Sequence, residues 1–168
     1  YSGIQYYMEG PDFRPLFMCG AMTLTFWVKA STSGEYCVSF RNEEWDRSYV
    51  APYIITSPNT WQKIKITLPT PLWEANKFNF YPRAVNGSGK GEGLKIWFGN
   101  HAADGIKCQR SQVNQWTASN TVGVAGQVNN ADTVGKKFFL TQIKLEEGTV
   151  DTPFSCQPYD VELHRCKR

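Results

Sequence analysis

Thr23 to Ala30 reads TLTFWVKA, and beyond Ser31–Gly34 the stretch Tyr36 to Arg41 reads YCVSFR. Met22, Leu24, Phe26 and Val28 alternate with Thr23, Thr25, Trp27 and Lys29. A period of two is the signature of a half-buried strand, because successive side chains leave opposite faces of a pleated backbone. Ser31 to Gly34 reads as a turn, since Ser supplies local hydrogen bonds and Gly supplies positive φ. Tyr36, Val38 and Phe40 then return on the same inner face. The pair is predicted to be strand–turn–strand.

The same pattern recurs outward in both directions. Ile4, Tyr6 and Met8 alternate before a break at Gly10-Pro11. Ser48 to Thr56 is apolar, but Pro52 demotes it to an edge or bulged strand. Ile64, Ile66 and Leu68 alternate with Lys63, Lys65 and Thr67, which predicts one dry and one wet face. Pro69 and Pro71 end that strand. Phe78 to Tyr81 is expected to be a short strand, and Leu94, Ile96 and Phe98 the next inner stripe. Weaker strands are expected near Ile106–Val113 and Thr121–Val128, and Phe139, Thr141, Ile143 and Leu145 form the last. No amphipathic helix is predicted. Short strands with frequent turns predict an all-β fold, a two-sheet antiparallel sandwich or jelly roll. Residues 1–147 are assigned to it, and 148–168 to an irregular C-terminal tail.

Composition agrees. The chain has 168 residues, 41% hydrophobic and 14% aromatic, with 14 Gly and 9 Pro. That is enough for one sizeable core and too apolar for a disordered chain. The net charge of +3 is spread among interspersed acids and bases, so no nucleic-acid partner is expected. No apolar run has the length of a membrane span, so no membrane insertion is expected. The chain starts at Tyr1 rather than Met, and is expected to be a piece of a longer polypeptide or a processed one. Cys19, Cys37, Cys108, Cys156 and Cys166 are odd in number and form no CxxC, which predicts reduced thiols.

A succession of short motifs carries a family resemblance. Met8-Glu9-Gly10 is followed by Phe26-Trp27-Val28-Lys29, Arg47-Ser48-Tyr49-Val50, Asn59-Thr60-Trp61, Leu94-Lys95-Ile96 and Leu145-Glu146-Glu147-Gly148. The chain closes with Thr152-Pro153-Phe154, Pro158-Tyr159, Glu162-Leu163 and Cys166. In this order they resemble a family of phage virion-surface β-sandwich domains, found in tail fibres and head- or tail-attached appendages. The family tends to carry Glu after Thr-Pro-Phe and Arg before Pro-Tyr, where this chain has Ser155 and Gln157.

The resemblance implies a non-enzymatic virion structural protein or domain, similar in shape to carbohydrate-binding modules. It implies a homotrimer at the virion surface, assembled in the host cytoplasm, with other virion proteins as partners and host-surface glycan as a ligand. The alternative it leaves is a decoration or attachment protein that stabilises the virion without binding sugar. Cys166 matches a tail position of the family and is expected to be packing rather than a reactive thiol.

Candidate sites follow from residue chemistry. Sugar rings present C–H faces that stack on Trp and Tyr. Trp45, Tyr49, Trp73 and Trp116 lie in or near loops flanked by polar residues, and Trp97 alternates out of its inner stripe, as does Trp27. Trp45, Tyr49, Trp73, Trp97 and Trp116 are therefore the carbohydrate-binding candidates; packing in the core or an interface is the competing reading. In the tail, Pro153, Phe154, Pro158, Tyr159 and Leu163 are too apolar and stiff for a free end, and are the docking candidates on the sandwich or a neighbouring subunit.

Glu146, Glu147 and Asp151, with Glu9 and Asp12, form an acidic group that a structural calcium ion would suit. A solvated turn is the favoured reading, and no cofactor is expected. His101, Asp104 and Cys108 lack zinc spacing, so no metal site is assigned. Gly87–Gly93 lacks GK[ST] and a following helix, so it reads as a hairpin tip rather than a phosphate loop. No GxSxG and no evident carboxylate pair occur, and catalysis is not expected.

Overall fold

The computed structural model describes residues 2–82, 90–156 and 158–166, with the backbone alone for Glu162, Arg165 and Cys166. Two antiparallel sheets pack face to face as an all-β sandwich. The wider sheet runs β1 (Ser2–Glu9), β6 (Glu92–His101), β3 (Gly34–Arg41), β4 (Ser48–Ile55) and β8 (Trp116–Thr117). The narrower runs β10 (Phe138–Glu147), β2 (Ala21–Ala30) and β5 (Gln62–Pro69). The inner stripes are those expected from alternation: Leu24, Phe26 and Val28 on β2, Tyr36, Val38 and Phe40 on β3, Ile64, Ile66 and Leu68 on β5, and Leu94, Ile96 and Phe98 on β6. All are buried, and hydrophobic burial of roughly 1.5–3 kcal/mol per large side chain makes this the main source of stability.

Four expectations need correction. The break at Gly10-Pro11 opens a helix, α1 (Gly10–Met18). Proline is tolerated in the first turn, where its missing N–H has no partner to lose. Phe13 and Phe17 recur one turn apart and are both buried. They plug one end of the sandwich against Phe78 and Phe80. Pro15 lies inside the helix, which runs less than a turn further. The tail also carries a helix, α2 (Tyr159–Cys166).

Phe78–Tyr81 is not a strand; a 3₁₀ turn (Leu72–Lys77) precedes it, and Phe78 and Phe80 spend their side chains on the α1 plug. The segments near Ile106–Val113 and Thr121–Val128 shrink to two-residue bridges, β7 (Lys107–Cys108) and β9 (Gly123–Val124), paired in parallel.

The last strand changes face midway. Leu140 pairs with Val28 and Leu145 with Leu24, and a bulge between Thr141 and Lys144 sets Gln142 and Ile143 opposite Phe26 alone, one residue in excess. Gln142 there has φ 50°, the left-handed region. Phe138, Leu140 and Leu145 therefore pack inward, while Phe139 and Ile143 are exposed. A bulge changes which side chains point in without ending the strand.

Apart from the edge strand β8, much of the segment 102–130 lies over the outer face of the wider sheet. Val128 N donates to Glu35 O at 2.8 Å and Asn114 N to Val50 O at 2.9 Å. Cys108, Val113 and Val124 pack on Cys37 and Val50, and Ala102, Ile106 and Val122 on Trp97. The four cysteines whose side chains are described, Cys19, Cys37, Cys108 and Cys156, are free thiols. Burial pushes the Cys37 thiol far up, with Glu35 adding to it. At the opposite margin, Ile4 and Tyr6 point toward the core side of β1 yet stay exposed. Five strands overhang three, and the narrower sheet does not cover them.

Candidate functional site: an aromatic rim at one end of the sandwich

Four of the five aromatic candidates gather at the α1 end. Asn42 builds the loop that holds the first. Its Oδ1 accepts from the backbone N–H groups of Asp46 and Arg47, at 3.2 and 3.1 Å. This local bonding is what Asn offers a turn, and it leaves Trp45 with φ 62°. Asn42 Nδ2 also donates to Asp46 Oδ1 at 2.6 Å and to Lys77 O at 2.8 Å, tying the loop to the Leu72–Lys77 turn. Arg47 Nε donates to Glu74 Oε2 at 2.6 Å, and Lys77 pairs with Asp46 at 3.2 Å. The Asn42 amide first, then Lys77 and Arg47, hold the Asp46 carboxyl below its usual range. Two segments far apart in sequence are thus locked side by side.

Trp73 stands on that turn with 77% of its surface exposed, the most open aromatic ring but one among the described residues. Trp45 is half-buried. It covers two neighbouring cations: the Arg41 guanidinium lies 4.2 Å and the Lys95 ammonium 4.5 Å from its ring centre. Both cations are buried, and Arg41 and Lys95 are register partners on β3 and β6. Lys95 Nζ is held by Glu92 at 2.8 Å and donates to Glu43 O at 3.0 Å. Burial lowers its pKa, opposed by Glu92. A tryptophan over desolvated cations is a favourable cation–π arrangement. Beside it opens a cleft of about 570 Å³ lined by Tyr7, Met8, Glu9, Pro82, Lys90, Gly91 and Glu92. Of the expected hairpin tip, 87–89 lie outside the described residues.

The other candidates are structural. Tyr49 is buried against Phe40 and Trp116. Trp116 packs on Phe78 and donates its Nε1–H to Pro69 O at 2.7 Å. Trp97 does alternate outward, but residues 102–130 cover it and it is only 8% exposed. Neither Tyr49 nor Trp97 can offer a ring face to a sugar. The reason lies in long-range cover, which alternation along one strand does not report.

Among the described residues, no three carboxylates of the acidic group gather as they would around a metal ion. Glu146 accepts from Thr152 N at 2.9 Å and pairs with Lys144 at 2.9 Å. Asp151 pairs with Lys63 and Lys65, each at 2.8 Å. The tail therefore starts out pinned across the narrower sheet, where Thr23 Oγ1 also donates to Gly148 O at 2.7 Å. Beyond the pins, Pro153, Phe154, Pro158, Tyr159 and Leu163 are exposed.

The two ammonium groups hold the Asp151 carboxyl far below its ordinary range. A carboxyl depressed on docking favours the docked state fully above its ordinary pKa of about 3.9 and loses that contribution only as pH falls toward the depressed value. Amide exchange at residues 148–152, corrected for intrinsic rate, is therefore expected to stay flat from pH 8 to pH 5. Asp151→Asn should raise it several-fold at pH 7. Equal exchange in both proteins would show that the pins hold nothing.

No protein-family model matches the chain, and no curated protein and no solved structure matches it.

Proposed function

We propose that this chain is a non-enzymatic β-sandwich module of a phage virion, carried on a tail fibre or similar appendage, that contributes to recognition of host-surface glycan through the Trp45–Trp73 rim. The supporting observation is the rim itself: an open Trp73 ring on a turn fastened by Asn42, Arg47–Glu74 and Asp46–Lys77 to the loop bearing Trp45. A sugar ring stacks its C–H face on tryptophan, while carboxylates, amides and ammonium groups nearby hold its hydroxyls. A rigid platform reduces the ordering cost of such a weak site. Displayed on a homotrimer at the virion surface, several weak sites would gain roughly 10²–10⁴-fold in avidity.

The test is a glycan array probed with the assembled oligomer. Wild type should give discrete signals, and Trp73→Ala should remove most of them while leaving stability within about 0.5 kcal/mol, as for other exposed positions. Signals unchanged in Trp73→Ala would overturn the rim.

One observation favours the second reading, a decoration or attachment protein that stabilises the virion without sugar. The tail is pinned at Asp151, yet Phe154, Tyr159 and Leu163 are exposed beyond it. Such apolar groups suit a neighbouring virion subunit. Removing residues 154–168 should then lower particle or oligomer stability, and an unaltered particle would defeat this reading.

A further inference from the structure

The outer face of the narrower sheet carries a second aromatic group that sequence patterning does not single out. Lys29 and Phe139 are register partners on β2 and β10, and Trp27 pairs with Thr141 on one side and Lys63 on the other. Trp61 stands just before β5 and leans over the same rows. The Trp61 and Phe139 rings are 6.4 Å apart and inclined at 55°, and the Lys29 ammonium lies 5.0 Å from each centre. The rings are 41% and 42% exposed, and Trp27 is half-buried beside them.

Asp151 brings the tail across this face from Gly148, held by Thr23, as far as Lys63, the partner of Trp27, while the Trp61 and Phe139 rings stay open. Among the described residues, this face carries Lys29, Lys63, Lys65 and Lys144 against Asp151 and Glu146, so an excess of positive charge surrounds the open rings. Asp151 and Glu146 already occupy Lys63, Lys65 and Lys144, whereas Lys29 sits between the two rings.

We propose that this face is a second binding site, for a carboxylate-bearing polysaccharide such as a polyuronate. The C–H faces of its sugar units stack on Trp61 and Phe139, and a ring carboxylate meets Lys29 in a place where aromatic walls reduce competition from water. Charge complementarity selects an acidic chain over a neutral one, and the paired rings select a sugar over a mere polyanion. The site lies on a different face from the Trp45–Trp73 rim and does not depend on it.

Affinity electrophoresis of the whole chain tests this, with polygalacturonate, dextran or oligothymidylate in the gel. Wild type should be retarded by polygalacturonate at low salt, less so as salt screens the charges, and not by dextran. Trp61→Ala and Phe139→Ala should each weaken that retardation by about tenfold, a factor typical of losing one good contact. Lys29→Gln should act in the same direction, and Met18→Ala, exposed on α1, should leave it unchanged. Melting curves check that each variant is folded, and the three substitutions are independent routes to the same result. Equal retardation of wild type and both ring variants would overturn the site. Retardation by oligothymidylate matching that by polygalacturonate would reduce it to non-specific charge. Loss in Trp73→Ala alone would move the binding to the rim.

Discussion

Phe17→Ala is expected to destabilise the protein by about 3–5 kcal/mol, the usual cost of removing a fully buried aromatic ring. Phe17 is 0% exposed. Its ring centre lies 5.6 Å from Phe13, 5.2 Å from Phe78 and 5.0 Å from Phe80, in edge-on and tilted contacts. These rings come from α1 and from the segment after the Leu72–Lys77 turn, and neither region belongs to a sheet. Without Phe17 the remaining rings cannot close over the space, because regular secondary structure holds only one side of it. Urea unfolding measures the effect. Met18→Ala, next along the helix but 65% exposed, should stay within about 0.5 kcal/mol. Similar midpoints for both variants would show that α1 is an ornament rather than a plug.

Gly10→Val should cost about 3 kcal/mol or more, at the upper end of overpacking effects. A Cβ on Gly10 would come within 2.7 Å of the Phe80 carbonyl carbon and the Tyr81 nitrogen, and within 2.8 Å of the Asn79 oxygen. All three are backbone atoms, so no side chain can swing aside. Gly10 N also donates to Gly91 O at 3.0 Å, which fixes the corner from the other side. Gly10→Ala should act in the same direction. Gly105→Ala, where an added Cβ meets nothing within 4 Å, is the matched control. An equilibrium melt that left Gly10→Val with wild-type stability would contradict the close approach. Because this corner leads into α1, the two substitutions strain one unit, and their combination should fall short of additive.

Those two positions also mark where pattern reading stopped. The inner stripes of β2, β3, β5 and β6 were legible because each residue's destination depends only on the pleat and on which face is dry. Helix α1 was not, since its nine residues contain two prolines and the apolar pair Phe13 and Phe17 gains meaning only once Phe78 and Phe80 arrive from elsewhere. The alternation of β10 was misleading past Thr141, because a bulge leaves no strong mark in composition. Within the rim, exposed Trp73 and half-buried Trp45 were found by their polar flanks. Tyr49 has the same flanks and Trp97 stands out by its outward alternation, yet both lie buried. The Trp61–Lys29–Phe139 group had a signal, a lysine and aromatics on the wet parity of β2 and β10. Reading it required the correct register of the bulged strand.

The paired grip of Lys63 and Lys65 on Asp151 has a mechanical corollary. A chain held at one point by two charges leaves the sandwich from a set position and heading, whatever its later residues do. Anything grasped by Phe154, three residues on, would therefore be held close to the narrower sheet, as on a bracket. Pulling on it would load β5 through its lysines before it loaded the core.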